Sequence, residues 1–440
     1  MTTTAEDLHD VHPRRQELAL ALAVAATVPG IWVRFAEPHL AHQVEALLFG
    51  LAIVGAAFLL SWGAEVAQLD ISAGLAIAVL AFIAVLPEYA VDFTLALNGG
   101  EAFEEFGRAC QSAAEAAAGE DAPCSLALAN MTGANRLLIG IGWSMVVFLA
   151  WYRMRKNGER LTEVALERSH SVELAFLTVA TIYSLTLPLK SSITLVDTAV
   201  LVSIFVAYTW RISRAPTEEP HLVGPARWIG TFSVPTRRGT VGVLFLFAAF
   251  VIFLCAEHFA EALVATGQEF DISEFLLLQW VAPFASEAPE LLVAGLYAWR
   301  LNTNAGLGTL VSSKVNQWTL LVGTLPVAFA LASGSLHGLP ILAEQREELL
   351  LTAAQSVFAV AVLFNLRMSV KESVALFSLF WAQFVVGALV PDSWHGAERI
   401  VVSVLYVLIG LRMILGHGAR RIGKTLHDGF RAPYSELAEP

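Results

Sequence analysis

Twelve stretches of 18 or more mostly apolar residues follow one another along this chain of 440 residues. Each is long enough to cross a hydrocarbon core of ~30 Å as a helix. They run 17–35, 42–67, 73–97, 126–151, 171–188, 192–211, 240–265, 272–299, 305–332, 347–366, 372–390 and 397–416. The connections are short except at 99–125, 152–170 and 212–239, so no sizeable soluble domain fits between them. Composition agrees, with 56% hydrophobic and only 15% charged residues, where a soluble domain has about 25% charged. A segment in lipid must satisfy its own backbone groups, and runs of this length do so as helices. The predicted fold class is all-α, a polytopic membrane protein of about twelve transmembrane helices.

The basic residues orient it, because Lys and Arg collect in cytoplasmic loops. With twelve crossings and a cytoplasmic start, alternate loops hold 20 of the 27 Lys and Arg. Arg136 and Lys314 fall inside predicted helices, leaving five for the outer face and its edges. Both termini are expected in the cytoplasm. The formal net charge of −12 therefore says little about partners, since the inner face is locally basic. The expected partners are inorganic cations and the lipid bilayer, with no nucleic acid. The expected location is the inner (plasma) membrane of a prokaryotic cell.

Three features invite a different reading. Arg14-Arg15 before an apolar run resembles a secretory or twin-arginine signal, but no clear cleavage site leads into a soluble domain, so a retained first helix is expected. Cys110 and Cys124 share the acidic outer loop 99–125, where a disulfide and two free thiols are both open. "GHGARRIGKT" has the spacing of a phosphate-binding loop (Gly418, Gly423, Lys424, Thr425). That loop works only between a strand and a helix of an α/β domain, and here a basic tail is the better reading. No HExxH helix or GxSxG elbow is present, so the chain is not expected to be an enzyme.

An internal repeat carries the chemistry. "QLDISAGLAIAVLAFIAVLPEYAVDF" (68–93) recurs as "EFDISEFLLLQWVAPFASEAPELLVA" (269–294). Each copy is followed by a second related segment, "LALANMTGANRLLIGIG" (126–142) and "AGLGTLVSSKVNQWTLLVG" (305–323). The two Pro-Glu helices run in opposite directions through the membrane, so the copies are inverted. Inverted repeats with broken polar helices mark secondary transporters, whose site lies at the repeat interface.

Proline removes a backbone donor, so the carbonyls of Ile83 and Ala285 lose their helical partners. Freed carbonyls beside carboxylates suit hard cations. Glu88 and Asp92 share one helix face, as do Glu287 and Glu290. Each charge at the bilayer centre costs roughly 2.5–3.5 kcal/mol, which is hard to reconcile with four carboxylates in matched places serving packing alone. Arg136 and Lys314 either bridge helices structurally or compensate these charges. Asn130, Asn135, Thr309, Ser312, Ser313, Asn316 and Gln317 either line a pathway or join helices by hydrogen bonds. Glu257, His258 and Glu261 form a further polar patch near an outer helix end.

The Pro-Glu helix followed by a small-residue Ser/Asn segment, twice and inverted, resembles the alpha repeats of the cation/calcium antiporter superfamily, and its sodium/calcium exchanger branch above all. The family pattern is roughly G-T-S-x-P-E, then G-N-x-x-G-S-N. The second copy here reads Ala285-Ser286-Glu287-Ala288-Pro289-Glu290, then Gly308 to Lys314. The first reads Ile83 to Glu88, then Ala129-Asn130 to Asn135. The resemblance implies two inverted five-helix repeats, 42–211 and 240–390, joined by a cytoplasmic linker at 212–239. Helices 17–35 and 397–416 would then be flanking additions, with a cytoplasmic N-terminus (1–16) and tail (417–440).

It also implies Glu88 and Glu290 as the central metal-binding carboxylates and Ser286 and Ser313 as hydroxyl ligands. Glu287, Asp92, Asn130 and Gln317 complete the expected cation-binding set, with Lys314 and Arg136 compensating charge. The departures are specific. Ala84 and Val85 replace a usual Thr and Ser, Lys314 replaces an Asn, Glu287 replaces a Ser, and Leu138 and Gln317 stand where the family has Asn or Asp. The expected function is a secondary active antiporter moving Ca²⁺ or a similar cation against Na⁺ or H⁺ by alternating access. The alternatives are a monovalent cation/proton antiporter and, from another class, a non-transporting receptor or scaffold with the same fold. No cofactor is expected beyond the transported Ca²⁺, Na⁺ or H⁺.

Overall fold

A computed structural model describes residues 13–70, 86–107, 124, 126–215, 222, 224–270 and 274–437. Each of the twelve apolar stretches is helical over most of its described length, with turns at some ends and a short strand at Ser192–Ile193. The helices are α1 (Pro13–Ala36), α2 (His42–Ala67), α3 (Leu86–Phe106), α4 (Ala127–Lys156), α5 (Ser171–Ser184) and α6 (Leu195–Ile212). After a long connection come α7 (Val234–Phe270), α8 (Glu274–Trp299), α9 (Thr303–Ser333), α10 (Ala343–Leu363), α11 (Val370–Leu389) and α12 (Asp392–His417). A thirteenth helix, α13 (Ala419–Phe430), follows the last of them. Among the described residues nine helices are long and apolar enough to cross a membrane. Of the other three, α3 and α10 carry clusters of carboxylates that lower their hydropathy. Residues 71–85, including Ile83, Ala84 and Val85, lie outside the described residues, as does Cys110; Cys124 is buried.

The chain packs as two units, each drawing helices from both sequence copies: Met1–Leu95 with Ile212–Glu290, and Ala96–Arg211 with Leu291–Pro440. In the first, α2 lies between α1 and α7. Small residues let the backbones approach, as in membrane helix pairs generally. A Cβ added to Gly55 would lie only 2.5 Å from the Ala23 carbonyl oxygen of α1. Helix α7 has 37 residues, about 55 Å at 1.5 Å per residue, so it outruns the hydrocarbon core predicted from 240–265. Just beyond α2, Asp70 of the first Asp-Ile-Ser triplet accepts from Arg237 Nε at 2.7 Å and Nη2 at 2.8 Å, with Arg238 at 3.3 Å.

The forked Arg237 hydrogen bonds hold the Asp70 carboxyl below its ordinary value. A carboxyl lowered by folding adds stability above its unfolded pKa of about 3.9, and that stability is lost as pH falls through the lowered value. Asp70→Asn is therefore expected to destabilise the protein at pH 7 and to narrow its difference from wild type below about pH 4. Thermal unfolding in detergent at the two pH values checks this, and a constant difference would show that Asp70 is not the cause.

In the second unit the inverted copies leave two matched marks. Helix α4 contains a π turn at Leu138–Trp143 and α9 one at Gln317–Leu321, each opening three residues after the equivalent positions Asn135 and Lys314. A Cβ on Gly140, inside the first π turn, would lie 2.4 Å from Phe380 Cγ, so glycine alone lets α11 seat there. Two short antiparallel ladders join the loops. β1 (Glu163–Ala165) pairs with β4 (Arg367–Ser369), and β2 (Ser192–Ile193) with β3 (Leu339–Pro340). The twelve-crossing order puts both loops of each ladder on the same face, which hydrogen bonding between them requires. Ser369 also caps α11, its hydroxyl accepting from the Glu372 amide while the Glu372 carboxylate accepts from the Ser369 amide.

The tail that mimics a phosphate loop is helix α13, with no strand before it. Thr425 of that segment donates to the Phe364 carbonyl at 3.0 Å. Arg168 bonds Asp428 at 3.0 Å, and Arg211 donates to the carbonyls of Gly429 and Ala432. The basic tail is thus a docked helix.

Candidate functional site

Helix α3 begins its described course at Leu86, and its first two turns bury Glu88 (3% exposed) and Asp92 (0%) on one face. Helix α8 runs through Pro283 and Pro289 without a break. Each proline lacks the N–H that the carbonyl four residues back, at Gln279 and at Ala285, would otherwise accept. Pro283 thus repeats at Gln279, which is itself buried, the lost helical donor expected from Pro289 at Ala285. Glu287 is 3% exposed, Ser286 is buried, and Glu290 is partly exposed. The Ser286 hydroxyl lies 3.3 Å from the carbonyls of both Ala282 and Pro283. Carboxylates, a hydroxyl and main-chain carbonyls on one proline-containing helix make an all-oxygen donor set.

The second motif of each copy is deeply buried. Asn130, Asn135, Ser313, Lys314, Asn316 and Gln317 are each at most 6% exposed. Lys314 donates to the main-chain oxygen of Asn135 at 2.7 Å and to its side-chain oxygen at 2.6 Å. Its ammonium also lies over the Trp318 ring, 5.2 Å from the centroid. Asn135 in turn donates to the Met131 carbonyl at 2.9 Å, which fixes the amide orientation. Equivalent positions of the two copies thus touch one another, as related residues do where a two-fold relation brings them together.

Other expected lining residues are placed in helix joints instead. Ser312 shares a 2.6 Å hydrogen bond with Tyr208 of α6, and exposed Thr309 bonds the Ala305 carbonyl of its own helix. His258 pairs with Glu261 at 3.1 Å on an exposed face of α7. Among the described residues no three His, Cys, Asp or Glu side chains form a metal-holding group, so any cation site must draw on hydroxyl, amide and carbonyl oxygens as well.

Arg136 sits in a structural bridge. Its Nη1 donates to Glu348 at 2.6 Å and its Nη2 to Gln383. Arg399, counted from the sequence among the outer edges, is 7% exposed and reaches Glu344 at 2.7 Å, Glu347 at 3.3 Å and Glu348 at 2.8 Å. Glu348, Gln383 and Arg399 are residues that the repeat pattern did not single out. Their signal was available: polar residues inside the apolar stretches 347–366, 372–390 and 397–416.

The sodium/calcium exchanger protein family matches residues 44–213 and 240–389. The chain belongs to that family. As a member it is a multi-pass membrane cation antiporter. Among solved structures, the chain is similar to the crystal structure of the H⁺/Ca²⁺ exchanger CAX, with 39% sequence identity. That likeness covers 96% of this chain and 98% of the other at a TM-score of 0.83. Native YfkE, at 12% identity and a TM-score of 0.58, covers 89% of this chain and 99% of its own, and shares the fold. Among curated proteins none matches the chain by sequence. The matched stretches of this exchanger leave α1, the first six residues of α7 and α12 outside the family's core.

Proposed function

We propose that this exchanger moves Ca²⁺ against H⁺, with Glu88 and Glu290 as the carboxylates that hold the calcium. Asp92, Glu287 and Ser286 support them on the same two helices, while Asn130, Ser313 and Gln317 line the second motif. The observation that carries the reading is the Asn135–Lys314 contact. At a position where the family pattern has a neutral amide, a fixed ammonium is held by two oxygens of the other copy. A cation already in place disfavours a second bound sodium ion, and the resemblance to an H⁺/Ca²⁺ exchanger at 39% identity points the same way. Protons compete directly with calcium, because each protonated carboxylate loses the charge that binds the metal.

Alternating access then exposes that site to one face of the membrane at a time, with both termini cytoplasmic. The concentration of 20 of the 27 Lys and Arg in one set of loops supports that orientation, and the same-face ladders support the order of crossings. Purified protein in liposomes tests the reading through radioactive calcium uptake driven by a pH gradient or by a sodium gradient. Uptake with the pH gradient alone is expected. Uptake with the sodium gradient alone would reverse the choice of counter-ion, and monovalent cation flux without calcium flux would favour a monovalent cation/proton antiporter.

A further inference from the structure

We propose that Arg399, on the last membrane helix, is a positioning residue for exchange, acting through Glu348 and Arg136 on the Asn135–Lys314 contact. Helix α12 lies beyond residue 389, where the family match ends, so nothing in the repeats assigns it a part in transport.

The chain of contacts is continuous. Arg399 begins it near the outer end of α12, with Glu344, 51% exposed, at its surface side. Glu348 uses one carboxylate oxygen for each arginine: Oε1 takes Arg399 Nε at 2.8 Å, and Oε2 takes Arg136 Nη1 at 2.6 Å. Gln383 of α11 accepts from the other end of the Arg136 guanidinium, and Gln355 of α10 donates to the Arg136 carbonyl at 3.3 Å. Arg136 directly follows Asn135, whose two oxygens hold the Lys314 ammonium. Two residues beyond Arg136 the π turn Leu138–Trp143 begins. A π turn is where a helix most readily adjusts its winding, and such turns cluster at working sites. The two arginines thus clamp α4 on the rigid side of its adjustable turn.

Stability alone does not account for the clamp. A buried ion pair is often matched or exceeded in stability by apolar residues of similar volume. Its position supplies the reason: it fixes the carbonyls that locate Lys314, and Lys314 lies beside Ser313 and three residues from Gln317. The groups facing Arg399 and Arg136 are Glu344, Glu347 and Glu348 from α10, Gln383 from α11, and Glu398 and Tyr406 from α12. Their carboxylates already outnumber the arginines, so removing Arg399 deepens the negative excess and leaves Glu348 Oε1 without its present partner, which pulls Arg136 from its seat.

The inference rests on the calcium-exchange reading, and the test uses full-length protein in liposomes. Calcium–calcium exchange without any gradient gives KM and turnover, independent of the counter-ion, at a series of pH values. Arg399→Gln is expected to raise KM about tenfold and to shift the pH profile, in line with coupling through a network, while turnover stays within about twofold. Arg399→Lys keeps the charge but loses the fork, and is expected to fall between the two. In a Lys314→Asn background Arg399→Gln is expected to change KM by less than about twofold, because linked residues are not additive.

A drop in yield or melting temperature with wild-type KM and pH profile would overturn the inference, as would an equal KM shift in both backgrounds. If Arg399→Gln does not fold, Arg399→Lys is judged on the same criteria. Wild-type protein without any calcium exchange would instead overturn the functional reading, and the inference with it.

Discussion

Glu88→Gln and Glu290→Gln should each lower calcium uptake by at least about a hundredfold while leaving a folded protein. Glutamine keeps the shape and one acceptor oxygen but removes the charge. Taking away one partner of a buried charged contact costs about 3–5 kcal/mol, and each 1.4 kcal/mol is about a factor of ten. The loss should appear at every calcium concentration for Glu88, which is 3% exposed. The partly exposed Glu290 should behave alike, since it directly follows Pro289 on α8, whose Ala285 carbonyl has lost its helical donor. Size-exclusion profiles and melting curves establish that each variant folds. Near-normal uptake by either variant would move the calcium site elsewhere.

Lys314→Asn should let a sodium gradient drive calcium uptake. The substitution restores the neutral amide of the family pattern and removes the ammonium held by Asn135. Two like charges about 4 Å apart repel by ~4 kcal/mol at an effective dielectric near 20. Relieving that repulsion for a sodium ion bound through Ser313 and Gln317 should raise sodium-driven uptake at least about tenfold. Initial rates under sodium and pH gradients, taken on the same liposomes, measure the change. An unaltered ratio of the two rates would show that Lys314 only fastens α9 to α4.

The helices and their order were legible in the sequence because the bilayer leaves a chain few options. Apolar runs such as 42–67 and 372–390 must be helices whatever their neighbours do. Glu88, Asp92 and Glu287 were legible for the same reason, since a carboxylate inside such a run stands out by its cost. Arg399 was legible only as a polar residue two positions inside its stretch, where it looks like an interfacial anchor until three glutamates of α10 surround it. The π turns left no mark either: "LIGIG" and "QWTLL" are ordinary helical sequence, and only packing against neighbours decides the extra residue. The separation into two units also runs across the sequence repeats, because contact between helices follows the membrane fold and not the order of duplication.

The meeting of Asn135 and Lys314 bears on where such a chain comes from. Two identical copies related by a two-fold would set like against like at this point, lysine against lysine, a pairing that buried ammonium groups do not tolerate. Asparagine against asparagine would be allowed, and from that starting point only one partner is free to become charged. The lysine is therefore a mutation that fusion of the two halves makes possible: a homodimer encoding one half cannot carry it on one side alone. An exchanger reverted to two separate, identical halves would have to surrender Lys314.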